Sequence, residues 1–236
     1  MIVAAAASAL LVLLVADSDR SPKPSYSGRK LSYWVERYVV PDQESGKIQY
    51  GEVDRAIRQI GTNGFPFLLK WVRYEPRPWK RKLCGAANSI IERVNPSWHF
   101  SIRDQDEIRA EGSVWAFKAL SAEADAVIGE LTILLNDPKA RVAASRAVEI
   151  LCRVDAGLPP LLSVLTNEQA TPARKLTVLQ TLGLVGHNAQ NNGAALLDYA
   201  RDAGWDDGMR SLATNLIRKF TPGALDTNWV RPLLVE

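Results

Sequence analysis

The chain reads as all-α, an α-solenoid of stacked helix pairs forming an α-α superhelix, and three observations carry that expectation. Apolar residues recur at helical spacing through most of 28–236. Short Gly, Asn or Asp turns separate consecutive stripes. Leu-rich second helices recur in register, with Asn167 set against Asn136, Leu162 against Leu131 and Leu165 against Leu134, an offset of 31. A lone helix pair cannot cover its own apolar faces, so stacked neighbours are what such a pattern requires.

The clearest unit is Ala56 to Val72. Ala56, Ile57 and Ile60 end one helix, Gly61 to Gly64 break it, and Phe65, Leu68, Leu69 and Val72 form a second stripe. Ahead of it, Leu31, Trp34, Val35 and Tyr38 stand at i, i+3, i+4 and i+7, an amphipathic capping helix ended by Pro41. Pro41 to Gly51 is loop, and Glu52 opens the next helix. Arg73 to Gly112 is the least regular stretch, with one helix expected from about Lys80 to Val94 between Pro78 and Pro96. Because Leu69 precedes Leu131 by 62, this stretch fills the place of one degenerate unit.

From Ser113 the pattern returns. Trp115, Ala116, Ala119 and Leu120 pair with Ala126, Val127, Leu131, Leu134 and Leu135; Val142, Ala143, Ala147, Ile150, Leu151 and Val154 pair with Leu158, Leu161, Leu162 and Leu165. A fourth pair sets Leu176, Leu179 and Leu182 against Ala194, Leu197 and Ala200. A last helix spans about Gly208 to Phe220, with Leu212, Leu216 and Ile217 on one face, and Trp229 to Glu236 forms a tail.

Ile2 to Ala16 is an unbroken run of 15 apolar or small residues. At 1.5 Å per residue it spans roughly 22 Å, short of a hydrocarbon core of roughly 30 Å, which favours a signal-peptide core over a full span. Residues 1–18 are therefore read as signal peptide or amino-terminal membrane anchor, 19–27 as flexible linker, and 28–236 as the helical domain with an irregular insert at about 73–112. The compartment expected is the cell envelope, with an anchored domain facing the cytoplasm as the alternative because Arg20, Lys23, Arg29 and Lys30 follow the run.

The Ala-rich first helix, Gly or Asp turn and Leu-x-x-Leu-Leu second helix at about 31 residues resemble short HEAT-like repeats. Tyr26-Ser-Gly-Arg-Lys-Leu-Ser-Tyr-Trp followed by Ala56-Ile-Arg-Gln-Ile-Gly-Thr-Asn is similar to a group of bacterial HEAT-repeat proteins with an amino-terminal hydrophobic segment. The resemblance covers about residues 26 to 220 and implies a binding scaffold with a protein or peptide partner on the solenoid surface. It also implies, by fold analogy alone, enzymes or accessories of bilin-lyase-like or DNA-glycosylase-like type.

The net charge of +3 is too small to imply a polyanion partner for the whole molecule, and nucleic acid is disfavoured. No catalytic, cofactor or metal signature is present: His-Glu-x-x-His, Cys-x-x-Cys, Gly-x-Gly-x-x-Gly and phosphate-loop patterns are absent. His99 and His187 read as loop residues, Gly183, Gly186 and Gly193 as an inter-helix turn, and Asp206-Asp207 as helix-start chemistry. Cys84 and Cys152 have no ligand spacing and read as buried thiols, a single disulfide remaining open to an exported domain.

One cluster stands apart. Between Lys70 and Lys82 six cations face a single acid, Glu75, with Trp71, Tyr74 and Trp79 interleaved, a local charge of 6 − 1 = +5. Lys70, Arg73, Tyr74, Arg77, Trp79, Lys80, Arg81 and Lys82 are the candidate patch for an anionic partner or membrane surface. The competing reading is a solvated rim whose long stems cover apolar surface.

Overall fold

Helical periodicity dominates the computed structural model, which describes residues 24–41, 49–94, 101–167 and 169–185 together with Ser211 and Asn215. Among the described residues the fold is all-α apart from one hairpin of two-residue strands. The chain divides after Ala119 into two compact units.

The first described elements of the first unit are β1 (Ser25–Tyr26) and β2 (Arg29–Lys30), paired antiparallel with Ser25 opposite Lys30. Ser27 (φ 49°) and Gly28 (φ 71°) supply the two positive dihedrals of a type I′ turn. The sequence places Ser25 to Ser27 in a linker, but here they belong to the hairpin, and Tyr26 accepts a hydrogen bond at its carbonyl from Trp34 Nε1 at 3.3 Å. Helix α1 (Leu31–Glu36) follows at once. Leu31, Trp34, Val35 and Tyr38 are all buried, as their spacing predicts.

Helix α2 (Tyr50–Ile60), a 3₁₀ turn (Gly61–Gly64) and α3 (Phe65–Val72) reproduce the expected helix, turn and helix. Gly61 takes φ 60°, which a β-carbon disfavours, and so the helix stops there. Helix α4 (Pro78–Val94) is the helix expected from about Lys80, whereas helix α5 (Gln105–Ala119) runs through a stretch expected to be irregular up to Gly112. Gln105 to Gly112 hides its helix because its buried positions are filled by Ile108, Ala110 and Gly112, only one of them large. Helix α5 is nevertheless the centre of the unit and packs against α1, α2 and α3. Phe117 stacks on Phe65 with ring centres 5.7 Å apart, and a β-carbon on Gly112 would lie 2.1 Å from the Val35 carbonyl oxygen.

The second unit holds α6 (Ile128–Asn136), α7 (Val142–Leu151), α8 (Leu158–Thr166) and α9 (Pro172–Val185). Helix α7 packs against α6, α8 and α9. Its register is 30 rather than the expected 31. Helices α6 and α8 begin at 128 and 158, α7 and α9 at 142 and 172. Leu161, Val164 and Leu165 therefore answer Leu131, Leu134 and Leu135, while Leu162 is only half-buried. The capping residue that matches Asn167 is Asp137, which shares its side-chain chemistry, and not Asn136. Asp137 (φ −69°, ψ 116°) and Asn167 (φ −75°, ψ 115°) leave their helices in the same conformation. Each side-chain oxygen accepts the amide two residues on, Lys139 N–H at 2.8 Å and Gln169 N–H at 2.9 Å.

Two further expectations are corrected. Leu68 rather than Leu69 is the fully buried position, so the spacing to Leu131 is 63 and fits no multiple of the repeat. Leu176 is 37% exposed, and Val178, one register step from Val148, joins Leu179 and Leu182 in the core. The apolar run 2–16, His99, His187, Asp206-Asp207, the second helix of the fourth pair and the last helix and tail lie outside the described residues, Ser211 and Asn215 excepted. Among the described residues no helix is long and apolar enough to cross a membrane.

Candidate functional site

The eight residues singled out between Lys70 and Lys82 are divided by the fold. Lys70 lies in the last turn of α3, Arg73 follows the helix, residues 74–77 form a connection, and α4 starts at Pro78. Tyr74, Lys80 and Arg81 turn toward carboxylates that precede or open α5. Lys80 Nζ donates to Asp104 Oδ1 at 3.3 Å and to Asp106 Oδ2 at 2.8 Å, and lies 5.3 Å from the centre of the Tyr74 ring. Tyr74 donates its hydroxyl to Asp104 Oδ2 at 2.5 Å, and Arg81 pairs with Glu107 at 2.8 Å. Asp104, only 4% exposed, also accepts the Asp106 amide at 3.1 Å and so caps α5.

Asn88 completes the clasp two turns further along α4. Its amide donates to the Ile102 carbonyl at 3.0 Å, and its oxygen accepts the Ile102 N–H at 2.6 Å. Lys80, Cys84 and Asn88, at i, i+4 and i+8, are thus one face of α4 docked on the start of α5. Including Asp104, Asp106 and Glu107 reduces the local excess to 5 − 3 = +2. Lys70, Arg73, Arg77, Trp79 and Lys82 are exposed, whereas Trp71 belongs to the core. The missed signal is the acidic run Asp104-Gln-Asp-Glu, about one helix length downstream of the cations.

The network's electrostatics oppose acid–base or nucleophilic work near neutrality. Burial, then the hydrogen bond to Asp104, pushes the Tyr74 hydroxyl up to about 12. Burial alone would lower Lys80, but Asp106 and Asp104 outweigh it and hold its ammonium charged. A nucleophilic lysine needs the opposite shift. Cys84 and Cys152 are free, buried thiols. Burial raises both, Cys152 to about 12, so neither carries an activated thiolate. No group of three or more His, Cys, Asp or Glu side chains among the described residues is placed to hold a metal ion.

A concavity, which the sequence did not mark, lies within the second unit. It is a cleft of about 550 Å³ between the turns that follow α6 and α8 and the amino-terminal halves of α7 and α9. Asn136, Arg141, Ser145, Asn167, Thr171 and Thr177 give it a polar rim, and Pro138, Ala144, Val148 and Ala173 line it between them. One wall is fixed by Arg174, whose guanidinium donates to the carbonyls of Leu135 (2.7 Å), Asp137 (3.0 Å) and Ala140 (2.6 Å). Those carbonyls belong to the end of α6 and its turn, where a cation is favoured. The arrangement gathers amide and hydroxyl groups of the kind that hydrogen-bond a polar backbone. Set against family models, characterised proteins and solved structures, the chain gives no match.

Proposed function

We propose that this protein is a non-enzymatic interaction scaffold built on short HEAT-like repeats, an α-solenoid of stacked helix pairs that holds a protein or peptide segment in the cleft of its second unit. The observation that carries the proposal is the 30-residue recurrence, in which helix starts, buried positions and cap dihedrals repeat together from α6–α7 to α8–α9. Repetition of that kind places equivalent turns side by side, and the cleft is lined by those turns. A cell-envelope location is part of the proposal and rests on the run Ile2 to Ala16.

The test is capture from an envelope extract by the immobilised full chain, compared with a Ser145→Tyr, Ala173→Tyr variant that fills the cleft. Both positions are exposed on their helices, so helical circular dichroism should be unchanged. The scaffold predicts one protein partner retained by the wild type and depleted at least about tenfold by the variant, a loss of about 1.4 kcal/mol. Equal retention by both proteins, or recovery of nucleic acid alone with salt-sensitive binding, would overturn it.

A further inference from the structure

Helix α4 carries more apolar surface than its docking uses. Of its 17 residues only Cys84 is buried, and its polar contacts to other elements come from the face through Lys80, Cys84 and Asn88 and from Arg81 at the edge of that face. Beside that face runs a second stripe, Trp79, Ala86 and Ile90 at i, i+7 and i+11, continued by Val94. Trp79 is 54% exposed, Ile90 52% and Val94 69%. Lys82 and Arg93 border the stripe on the side away from the docked face, and Arg77 stands just ahead of the helix; all three are exposed. None of the three has a carboxylate partner among the described residues. Glu92 is the helix's only acid, and at 100° per residue it lies roughly 140° round from Trp79.

We propose that this face of α4 lies in the headgroup region of an anionic lipid bilayer, with Trp79, Ile90 and Val94 entering the acyl boundary and Arg77, Lys82 and Arg93 meeting lipid phosphates. The chemistry is that of an interfacial helix. A narrow apolar strip inserts shallowly, an aromatic ring marks the interface, and cations flank the strip where acidic headgroups lie. The size of the strip favours lipid over protein. Three exposed side chains make a patch of a few hundred Å², against the roughly 800 Å² per partner that a stable protein interface buries. The proposal is independent of the cleft, which lies in the other unit.

The full chain also carries the apolar run Ile2 to Ala16, so total vesicle binding cannot report on α4. The readout must sit on the helix. Ile90→Cys in the full chain, labelled with an environment-sensitive dye while Cys84 and Cys152 stay buried, supplies it, with Thr62→Cys on the exposed turn before α3 as reference. Phosphatidylcholine vesicles containing phosphatidylglycerol should blue-shift the dye at position 90 and leave that at position 62 unchanged. Added salt should diminish the shift. Reversing Lys82→Glu and Arg93→Glu should weaken the response about thirtyfold or more while circular dichroism is preserved. Unshifted emission at position 90 would overturn the proposal. So would an equal shift on pure phosphatidylcholine, or a shift that follows protein concentration without lipid, which would give the face to a second copy.

Discussion

Asp104 is the residue on which the first unit's polar interior turns. One nearly buried carboxylate accepts the Tyr74 hydroxyl, the Lys80 ammonium and the Asp106 amide, tying the connection after α3, helix α4 and the start of α5 together. Such a group is costly unless every partner is present. The cations beside it were legible in the sequence as a charge excess. Their destination was not, because the carboxylates that neutralise Lys80 and Arg81 lie 24 to 26 positions further on. Tyr74 makes this testable by pH. Its hydroxyl ionises near 10 when unfolded and near 12 in the fold, so the stability it contributes is whole below pH 10 and is lost as pH rises toward 12. Tyr74→Phe should cost about 1–3 kcal/mol near neutrality through the lost hydrogen bond. Thermal melts of that variant should then fall less steeply between pH 10 and 12 than those of the wild type; parallel curves would remove Tyr74 from the network.

Among elements, those with one large apolar residue per turn were the readable ones. Helix α1 has Leu31, Trp34, Val35 and Tyr38 on a single face, and its sequence spacing matches its burial. Helix α5 is buried on several sides and uses small residues where other helices approach, so its first two turns carry no stripe. Gly112 is the extreme case. Ala has the better helix propensity by about 1 kcal/mol, yet its methyl would meet the Val35 backbone at 2.1 Å. Gly112→Ala should therefore destabilise the first unit by about 1–3 kcal/mol. Gly85, exposed on α4 with open space at its β-carbon position, should respond in the opposite sense, Gly85→Ala adding up to about 1 kcal/mol. Denaturant midpoints of the two variants check the contrast, and a stabilised Gly112→Ala would show that α1 and α5 are less closely packed than described. The same logic explains the one-residue error in register. Asn136 and Asn167 share a letter, but Asp137 and Asn167 share a cap, and cap geometry rather than residue identity sets where each helix ends.

For the molecule as a whole, the all-α class was legible in the stripes, and the pairing of helices within the second unit was legible in their recurrence. The cleft was not, because its lining comes from turn residues and small helix positions whose convergence depends on the three-dimensional packing of α6 to α9. Arg174 illustrates why: its three backbone carbonyl partners lie 34 to 39 positions earlier and leave no mark in the sequence around it. The proposed scaffold makes these positions its working surface, with the partner seated between the turns after α6 and α8. Hydrogen exchange on the full chain with and without the captured partner tests this most directly. The account predicts slowed exchange concentrated in 136–145 and 167–177. Slowing confined to other segments, with those two unchanged, would contradict it.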